Sequence, residues 1–325
     1  MGQVTLRNFL LLVLVFLTIA GCRSTDTRPQ VDLDHLIPSR QFRFADGDSA
    51  IFYTLDKSLS TSSPQRFDTL MFVIGGSGCD SMQYFLPHYF RGLEGESGPI
   101  RIFMLQKRGV EDLGWGRDRG CSRAAIVADH PTRWIADQSE FIRSQVMQNA
   151  ALTNASPRLV IVGISEGGDI APLLARSLPD ISHLVIIGNG GMNPMEALRL
   201  RNSLHPDRIS DNDLYDFEAL NVEPTDPDVI DRFIGGRTWR YWSELRLLTP
   251  TTDLLRLTVP IWIGMGALDR SIPSETALQV KKQFDLQRKT NLELRIYEGA
   301  DHGLATSDGS RLADFWYAFD KGMRK

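Results

Sequence analysis

The chain has few cysteines, no excess of basic residues and no long apolar span, and each shortage excludes a class of protein. Three cysteines among 325 residues are too few for a small fold held together by a disulfide framework. The formal net charge of −4, without any cluster of lysine and arginine, gives no reason to expect a nucleic-acid partner. With 42% hydrophobic and 23% charged residues, the composition is typical of a globular protein that buries a large core.

Metal and nucleotide motifs are also lacking. No histidines, cysteines or carboxylates are paired at the spacing of metal ligands, so we predict no metal site. The glycine-rich stretch 75–78 is followed by no Lys-Ser or Lys-Thr pair and lacks the third glycine of a dinucleotide-binding loop. We therefore predict that the protein works without a cofactor.

The first 22 residues have the pattern of an export signal. Arg7 precedes an apolar run at 9–17, which leads to an aliphatic residue, two small residues and Cys22. The run is too short to span a bilayer, which takes about 20 residues, so residues 1–21 are interpreted as a signal peptide. Residues 22–40 are polar and show no periodicity, and we expect them to form a tether.

The residues that lead to Cys22 resemble the lipobox of bacterial lipoproteins. The resemblance implies that Cys22 becomes the first mature residue and carries acyl chains, which contribute about 0.8 kcal/mol per buried CH₂ to membrane binding. The expected location is the bacterial cell envelope. In a Gram-negative cell it is the outer membrane or the periplasmic side, because Arg23 stands where Asp would signal inner-membrane retention. A plain secretory signal with an incidental Cys22 is the alternative.

Two cysteines, Cys79 and Cys121, remain in the mature chain. Export leads to an oxidising compartment, which permits a disulfide between them. In the chain-entropy model, a bridge that closes a loop of roughly 43 residues stabilises a fold by up to about 4 kcal/mol. Two buried free thiols are the alternative.

From residue 41 onward, short apolar stretches alternate with stretches of helical periodicity. Apolar strands that alternate with helices indicate an α/β fold, in which a parallel sheet is covered on both faces. We therefore predict a mostly parallel, doubly wound sheet of about eight strands. The predicted strands are 49–55, 69–74, 100–105, 159–162, 184–187, 260–264 and 292–297, with helices from about 131, after 166, from 274 and after 310.

One segment, at about 192–256, interrupts this alternation. It is helical in pattern, charged and aromatic, and it lies between two predicted core strands. We interpret it as a lid inserted over the edge of the sheet. Its aromatic residues Trp239, Tyr241 and Trp242 are expected either to form the core of the lid or to line a pocket for an acyl group.

The sequence Gly163-Ile164-Ser165-Glu166-Gly167 follows a buried strand and opens a helix. A sharp strand-to-helix turn holds the hydroxyl of its serine clear of the sheet, provided that neighbouring backbone can approach closely at the glycines. This setting makes Ser165 the candidate nucleophile.

A serine hydroxyl needs a base to take its proton, and the base needs a partner that fixes its tautomer. In chain order the partners should follow the serine as an acid and then a histidine. Asp269 lies just after the strand 260–264, and His302 lies just after the strand 292–297. All three residues are therefore expected at the same edge of the sheet.

An oxyanion that develops on the substrate needs backbone N–H donors. We assign one donor to Glu166, which follows the nucleophile, and the other to Ser77, with Gly76 as the next candidate. The carboxylate of Glu166 would oppose the charge of an oxyanion if it lay beside it, so we expect it to point away, in a direction that the sequence does not define.

These motifs resemble the α/β-hydrolase superfamily of serine hydrolases, over about residues 41–325. The resemblance implies Ser165 as nucleophile, His302 as general base and acid, and Asp269 as the orienting acid. Residues 106–110, Gln-Lys-Arg-Gly-Val, also resemble the Gln-Arg-Gly loop of lidded hydrolases and prolyl aminopeptidases. Many members have a histidine at the position of Gly75, and this departure affects the register of the oxyanion loop.

Two classes of function follow. The first is a membrane-tethered serine hydrolase that forms an acyl-enzyme at Ser165, and the aromatic content of residues 192–256 favours a carboxylic ester as its substrate. A peptidase or aminopeptidase, a thioesterase and an acyltransferase of the same fold would share this intermediate. The second class is a non-catalytic surface lipoprotein that uses the fold for binding. The complete set of Ser, Asp and His in chain order favours the enzyme.

Overall fold

The computed structural model describes residues 37–60, 64, 66–83, 85–111, 121–153, 156–206 and 228–324. The predicted signal peptide, Cys22 and the tether as far as residue 36 lie outside these residues. Ile37 is buried, and its carbonyl oxygen accepts a 2.6 Å hydrogen bond from the side chain of Gln83. Ile37, which the sequence pattern assigned to the tether, is therefore packed in the fold, whereas residues 38–40 are exposed.

Strands and helices alternate along most of the chain. The strands are β1 (Arg40–Arg43), β2 (Ser49–Lys57), β3 (Thr69–Ile74), β4 (Ile100–Leu105), β5 (Arg158–Ile164), β6 (Ile181–Ile187), β7 (Phe233–Ile234), β8 (Arg237–Thr238), β9 (Ile261–Gly266), β10 (Leu292–Tyr297), β11 (Ala305–Thr306) and β12 (Gly309–Ser310). The helices are α1 (Phe85–Tyr89), α2 (Arg123–Ala128), α3 (Pro131–Thr153), α4 (Gly167–Ser177), α5 (Pro194–Leu204), α6 (Trp239–Leu245), α7 (Pro250–Arg256), α8 (Glu275–Leu286) and α9 (Leu312–Gly322).

Eight of these strands form one sheet, in the order β1-β2-β4-β3-β5-β6-β9-β10. The pairs β1–β2 and β2–β4 are antiparallel, and every other pair is parallel. The predicted mostly parallel sheet of about eight strands is confirmed.

The two faces of the sheet are both covered, because successive side chains of a strand point to opposite faces. In β3, Leu70, Phe72 and Ile74 join an apolar cluster with α3, α4 and α8. Met71 and Val73 join a second cluster, which includes aromatic residues of α9. All six residues of β3 are consequently buried, and the sheet forms the middle layer of three.

The segment 192–256 stands between the sheet strands β6 and β9. Its described part holds α5, the β7–β8 hairpin, α6 and α7. Trp239 packs with Met195 and Ile234, and Trp242 packs against the same cluster. These two tryptophans therefore form a core within the segment, which is one of the two roles considered for them.

The parallel strands place their carboxyl ends at one edge of the sheet. The stretch 75–78 follows β3, Ser165 follows β5, Asp269 follows β9 and His302 follows β10. In the described ranges, no helix is long and apolar enough to cross a membrane.

Candidate active site

Ser165 stands on the sharp turn between β5 and α4. Its φ angle is 52°, in the left-handed region that a residue with a side chain occupies only under external constraint. A Cβ on Gly167 would lie 2.2 Å from the carbonyl oxygen of Ile74, and one on Gly163 would lie 2.8 Å from the Cβ of Ala171. The two glycines are therefore required by the close approach of β3 and α4 to the turn.

The side chains of Ser165, His302 and Asp269 form a continuous chain of hydrogen bonds. The Oγ of Ser165 lies 2.9 Å from Nε2 of His302. The Nδ1 of the same ring lies 2.7 Å from Oδ2 of Asp269. The sequence placed these residues at one edge of the sheet, and the structure brings them into direct contact.

Asp269 is held in one orientation by the loop that follows β9. Its side chain is fully buried, and Oδ1 accepts hydrogen bonds from the backbone N–H groups of Ser271 and Ile272, at 2.8 and 2.9 Å. The other oxygen is thereby directed at His302. Asp301, the neighbour of the histidine, accepts from backbone N–H groups of its own turn.

Asn189, which follows β6, fixes the backbone of the turn between β5 and α4 that carries Ser165, which we call the elbow. Its Nδ2 donates to the carbonyl oxygen of Ser165 at 3.0 Å and to Oδ1 of Asp169 at 2.8 Å, while its Oδ1 accepts from the N–H of Gly191 at 2.7 Å. Burial raises the pKa of Asp169 to about 8, against the hydrogen bond from Asn189. The Asp169 carboxyl is therefore mostly protonated at neutral pH.

The loop after β3 passes directly against the nucleophile. A Cβ on Gly76 would lie 3.2 Å from the Cβ of Ser165. Gly76 and Ser77 line one cavity together with Ser165 and His302. An oxyanion loop must lie this close to the nucleophile. The other proposed donor, the backbone N–H of Glu166, belongs to the residue that directly follows Ser165.

A disulfide between Cys79 and Cys121 borders this loop. The two Cα atoms are 5.5 Å apart. Cys79 directly follows Gly78, and Cys121 directly precedes Ser122, whose side chain accepts a hydrogen bond at the first turn of α2. The bridge therefore connects the candidate oxyanion loop to α2.

The cavity at Ser165 has a volume of about 300 Å³. Its wall is mainly apolar and comes from residues around α1, β4 and α3, namely Met82, Phe85, Tyr89, Met104, Val110 and Trp134. In the part of the chain that the structure describes, residues 192–256 contribute nothing to this wall. The interpretation of Trp239, Tyr241 and Trp242 as an acyl pocket is therefore wrong for this cavity.

The carboxylate of Glu166 points toward three side chains from other elements. Its Oε2 accepts from Lys107 at 3.1 Å and from Arg237 at 3.3 Å. Its Oε1 accepts a hydrogen bond from the hydroxyl of Tyr241. Asp129 completes the group, because it pairs with both Lys107 and Arg237.

Of the two cations that contact Glu166, Lys107 is the less exposed to solvent. Its side chain is 11% exposed, and its Nζ lies 3.8 Å above the ring of Trp134. Burial lowers the pKa of Lys107 to about 8, although the Glu166 carboxylate favours the charged form. Lys107 also lines the cavity, so it contacts both Glu166 and the space where a substrate would lie.

Sequence reasoning did not single out Arg237 or Asn189, and it named Tyr241 and the stretch 106–110 without predicting that Tyr241 and Lys107 contact Glu166. One signal was available, since a glutamate next to a nucleophile must find cations or donors if it is buried. The sequence does not show which cations it finds, because Arg237 is 71 residues away along the chain. Among the described residues, no group of three or more His, Cys, Asp or Glu side chains could hold a metal ion.

The sequence comparisons match part of the chain. A model of the dienelactone hydrolase family matches residues 238–318, a stretch that contains Asp269 and His302 but not Ser165. No curated protein matches the chain by sequence.

Solved structures match most of the chain at low identity. Est1E from Butyrivibrio proteoclasticus has a TM-score of 0.55 and 14% identity, over 88% of this chain and 97% of that one. An α/β-hydrolase-fold protein from Chitinophaga pinensis has a TM-score of 0.52 and 15% identity, over 89% and 96%. An acylaminoacyl peptidase from Pyrococcus horikoshii has a TM-score of 0.54 and 13% identity over 88% of this chain, which spans 41% of that protein. The chain therefore has the α/β-hydrolase fold.

Proposed function

We propose that this protein is a serine hydrolase that forms an acyl-enzyme at Ser165 and acts on a carboxylic ester. The observation that carries the proposal is the chain of hydrogen bonds from Ser165 through His302 to the buried Asp269, at 2.9 and 2.7 Å. A binding protein gains nothing from a serine held at φ 52° against a histidine, whereas a nucleophile needs both the exposure and the base.

In the proposed reaction, His302 takes the proton of Ser165 as Oγ attacks the carbonyl carbon of the substrate. Asp269 holds Nδ1–H of the ring and stabilises the imidazolium that forms. The backbone N–H of Glu166, with that of Ser77 or Gly76, donates to the oxyanion. His302 then returns the proton to the departing alcohol, and a water molecule hydrolyses the acyl-enzyme by the same steps.

The cavity supports a substrate with an apolar group of moderate size. An apolar cavity of about 150 Å³ accommodates one benzene ring, so a cavity of about 300 Å³ has room for roughly twice that volume. The wall of Met82, Phe85 and Val110 suits a hydrocarbon or aryl group. Est1E, a neighbour in fold, was solved with ferulic acid bound, and acylaminoacyl peptidases share the fold. Both esters and amides therefore belong in the test.

We further propose that Cys22 carries the lipid anchor, and that the hydrolase domain acts at a membrane surface in the bacterial cell envelope. The proposal rests on the lipobox-like pattern that ends at Cys22. The disulfide between Cys79 and Cys121 supports an exported protein, since disulfides persist in oxidising compartments.

Labelling with a fluorophosphonate tests the nucleophile directly. The detergent-solubilised full-length protein is compared with Ser165→Ala and with a matched control, Ser203→Ala, which removes an exposed hydroxyl on α5. We expect labelling of the wild type and of the control, and none of Ser165→Ala.

A panel of 4-nitrophenyl esters, a thioester and N-acyl and free-amine peptides then separates the bond types. Faster turnover of the esters supports the proposed substrate class, whereas turnover of peptides alone would replace it by a peptidase. A folded wild type that neither labels nor turns over any substrate would contradict the hydrolase proposal and leave the binding function.

A further inference from the structure

Four buried charges next to the nucleophile form a closed ring. Lys107 pairs with Glu166 at 3.1 Å and with Asp129 at 2.9 Å, and Arg237 pairs with the same two carboxylates. We call Lys107, Asp129, Glu166 and Arg237 the four-charge cluster. Its side chains are between 8% and 16% exposed, and its formal charges sum to zero.

The four members come from separate parts of the fold. Lys107 lies on the loop after β4, Asp129 directly follows α2, Glu166 belongs to the elbow and Arg237 begins β8. The segment 192–256 therefore contacts Glu166 in two ways. Arg237 forms an ion pair with it, and Tyr241 of α6 donates a hydrogen bond to it.

Stability alone does not account for such a cluster. Well-packed apolar residues of similar volume stabilise a core as much as buried ion pairs do, or more. The location is more informative, because the backbone N–H of Glu166 is the proposed oxyanion donor. A lone carboxylate on that residue would oppose the oxyanion, and it would do so strongly in a site that excludes water.

We propose that Lys107 and Arg237 are positioning residues that act through Glu166. They hold its carboxylate away from the reaction and cancel its charge, so that its backbone N–H faces the oxyanion in a locally neutral environment. This inference rests on the proposed serine-hydrolase function. On this inference the segment 192–256 assists the acylation step through Arg237 and does not act by lining the cavity.

A double-mutant cycle separates this role from a structural one. Lys107→Met leaves the cluster with a net negative charge, and we expect kcat for a short 4-nitrophenyl ester to fall about tenfold or more, with KM changed less than about threefold. In the background of Glu166→Gln, the same Lys107→Met change leaves a neutral pair of Arg237 and Asp129. There it should lower kcat by less than about threefold.

The chain offers a matched control on the same loop. Arg108 makes a two-bond ion pair with Asp137 at 2.8 Å, with side chains 8% and 10% exposed, and neither residue contacts Glu166 among the described ion pairs. Asp137→Asn therefore breaks an equally buried pair, and we expect a lower melting temperature with kcat within about twofold of the wild type.

The outcomes are distinct. An equal loss of kcat from Lys107→Met in both backgrounds, in folded protein, would overturn the inference and leave the hydrolase proposal intact. Absence of both labelling and turnover in the wild type would overturn both proposals. If Lys107→Met does not fold, the cycle is run with Arg237→Met and Glu166→Gln, for which the same pattern is expected.

Discussion

Asp169 is a buried carboxyl group near Ser165 that does not belong to the four-charge cluster. Burial raises its pKa to about 8, whereas an aspartate in an unfolded chain has a pKa of about 4. The folded protein therefore binds a proton that the unfolded chain releases between these pH values. The free energy of unfolding contributed by this group falls as the pH rises through that window.

Asp169→Asn should remove this pH dependence. An asparagine has nearly the same shape, can still accept from Asn189 and does not ionise. The free energy of unfolding of the wild type relative to Asp169→Asn should fall between pH 5 and pH 8, by at most about 1.4 kcal/mol per pH unit. Urea unfolding of both proteins at several pH values measures the difference. A constant difference across the range would show that Asp169 is ionised in the folded protein.

At the scale of single residues, the sequence predicted the positions that a motif defines. Ser165, Asp269 and His302 could be predicted because each follows a recognisable strand, and parallel strands end at one edge. The partners of Glu166 could not be predicted, because their contacts depend on how β8 and the loop after β4 pack in three dimensions.

The contact between β3 and α4 is a very close backbone approach at the candidate site. Gly167 begins α4, and a Cβ there would lie 2.2 Å from the carbonyl oxygen of Ile74 and 2.6 Å from that of Gly75. These distances are too short for any side chain, so a substitution must displace the end of β3. The displaced segment leads directly into the candidate oxyanion loop.

Gly167→Ala should therefore lower kcat and the melting temperature together. Because the oxyanion loop moves with β3, we expect kcat to fall by about 100-fold, as on removal of one oxyanion donor. Gly303→Ala is the matched control, since it neighbours His302 and its Cβ would meet nothing nearer than 3.6 Å. Steady-state kinetics and thermal unfolding check both variants. Wild-type activity in Gly167→Ala would mean that the loop tolerates this displacement.

At the scale of elements, the strands with continuous apolar runs were predicted best. The structure gives β3 and β4 the predicted bounds, because their burial leaves a strong apolar pattern. The edge strand β10 also has the predicted bounds, although only its Leu292 is buried. The short elements β1, α1 and α2 were not predicted, since four to six residues show too little periodicity and depend on tertiary contacts.

At the scale of the whole molecule, the proposed lipid anchor would determine where the protein acts. Cys22→Ala, once its signal peptide has been removed, should be released from the membrane fraction, because only the acyl chains would attach the mature chain to the bilayer. Ser24→Ala, which keeps Cys22, is the control and should stay with the membranes. Fractionation followed by immunoblotting checks the distribution. Retention of Cys22→Ala in the membrane fraction would contradict the lipobox interpretation.

The place of His302 after β10, the last strand of the main sheet along the chain, has a consequence for the timing of activity. His302 follows this strand and is made 137 residues after Ser165, which corresponds to roughly 7 to 27 s of synthesis at 5–20 residues per second. During that interval the chain carries its proposed nucleophile without a base. If the proposed mechanism holds, a nascent chain, or one that has lost β10 and His302 by proteolysis, lacks the base and is inactive.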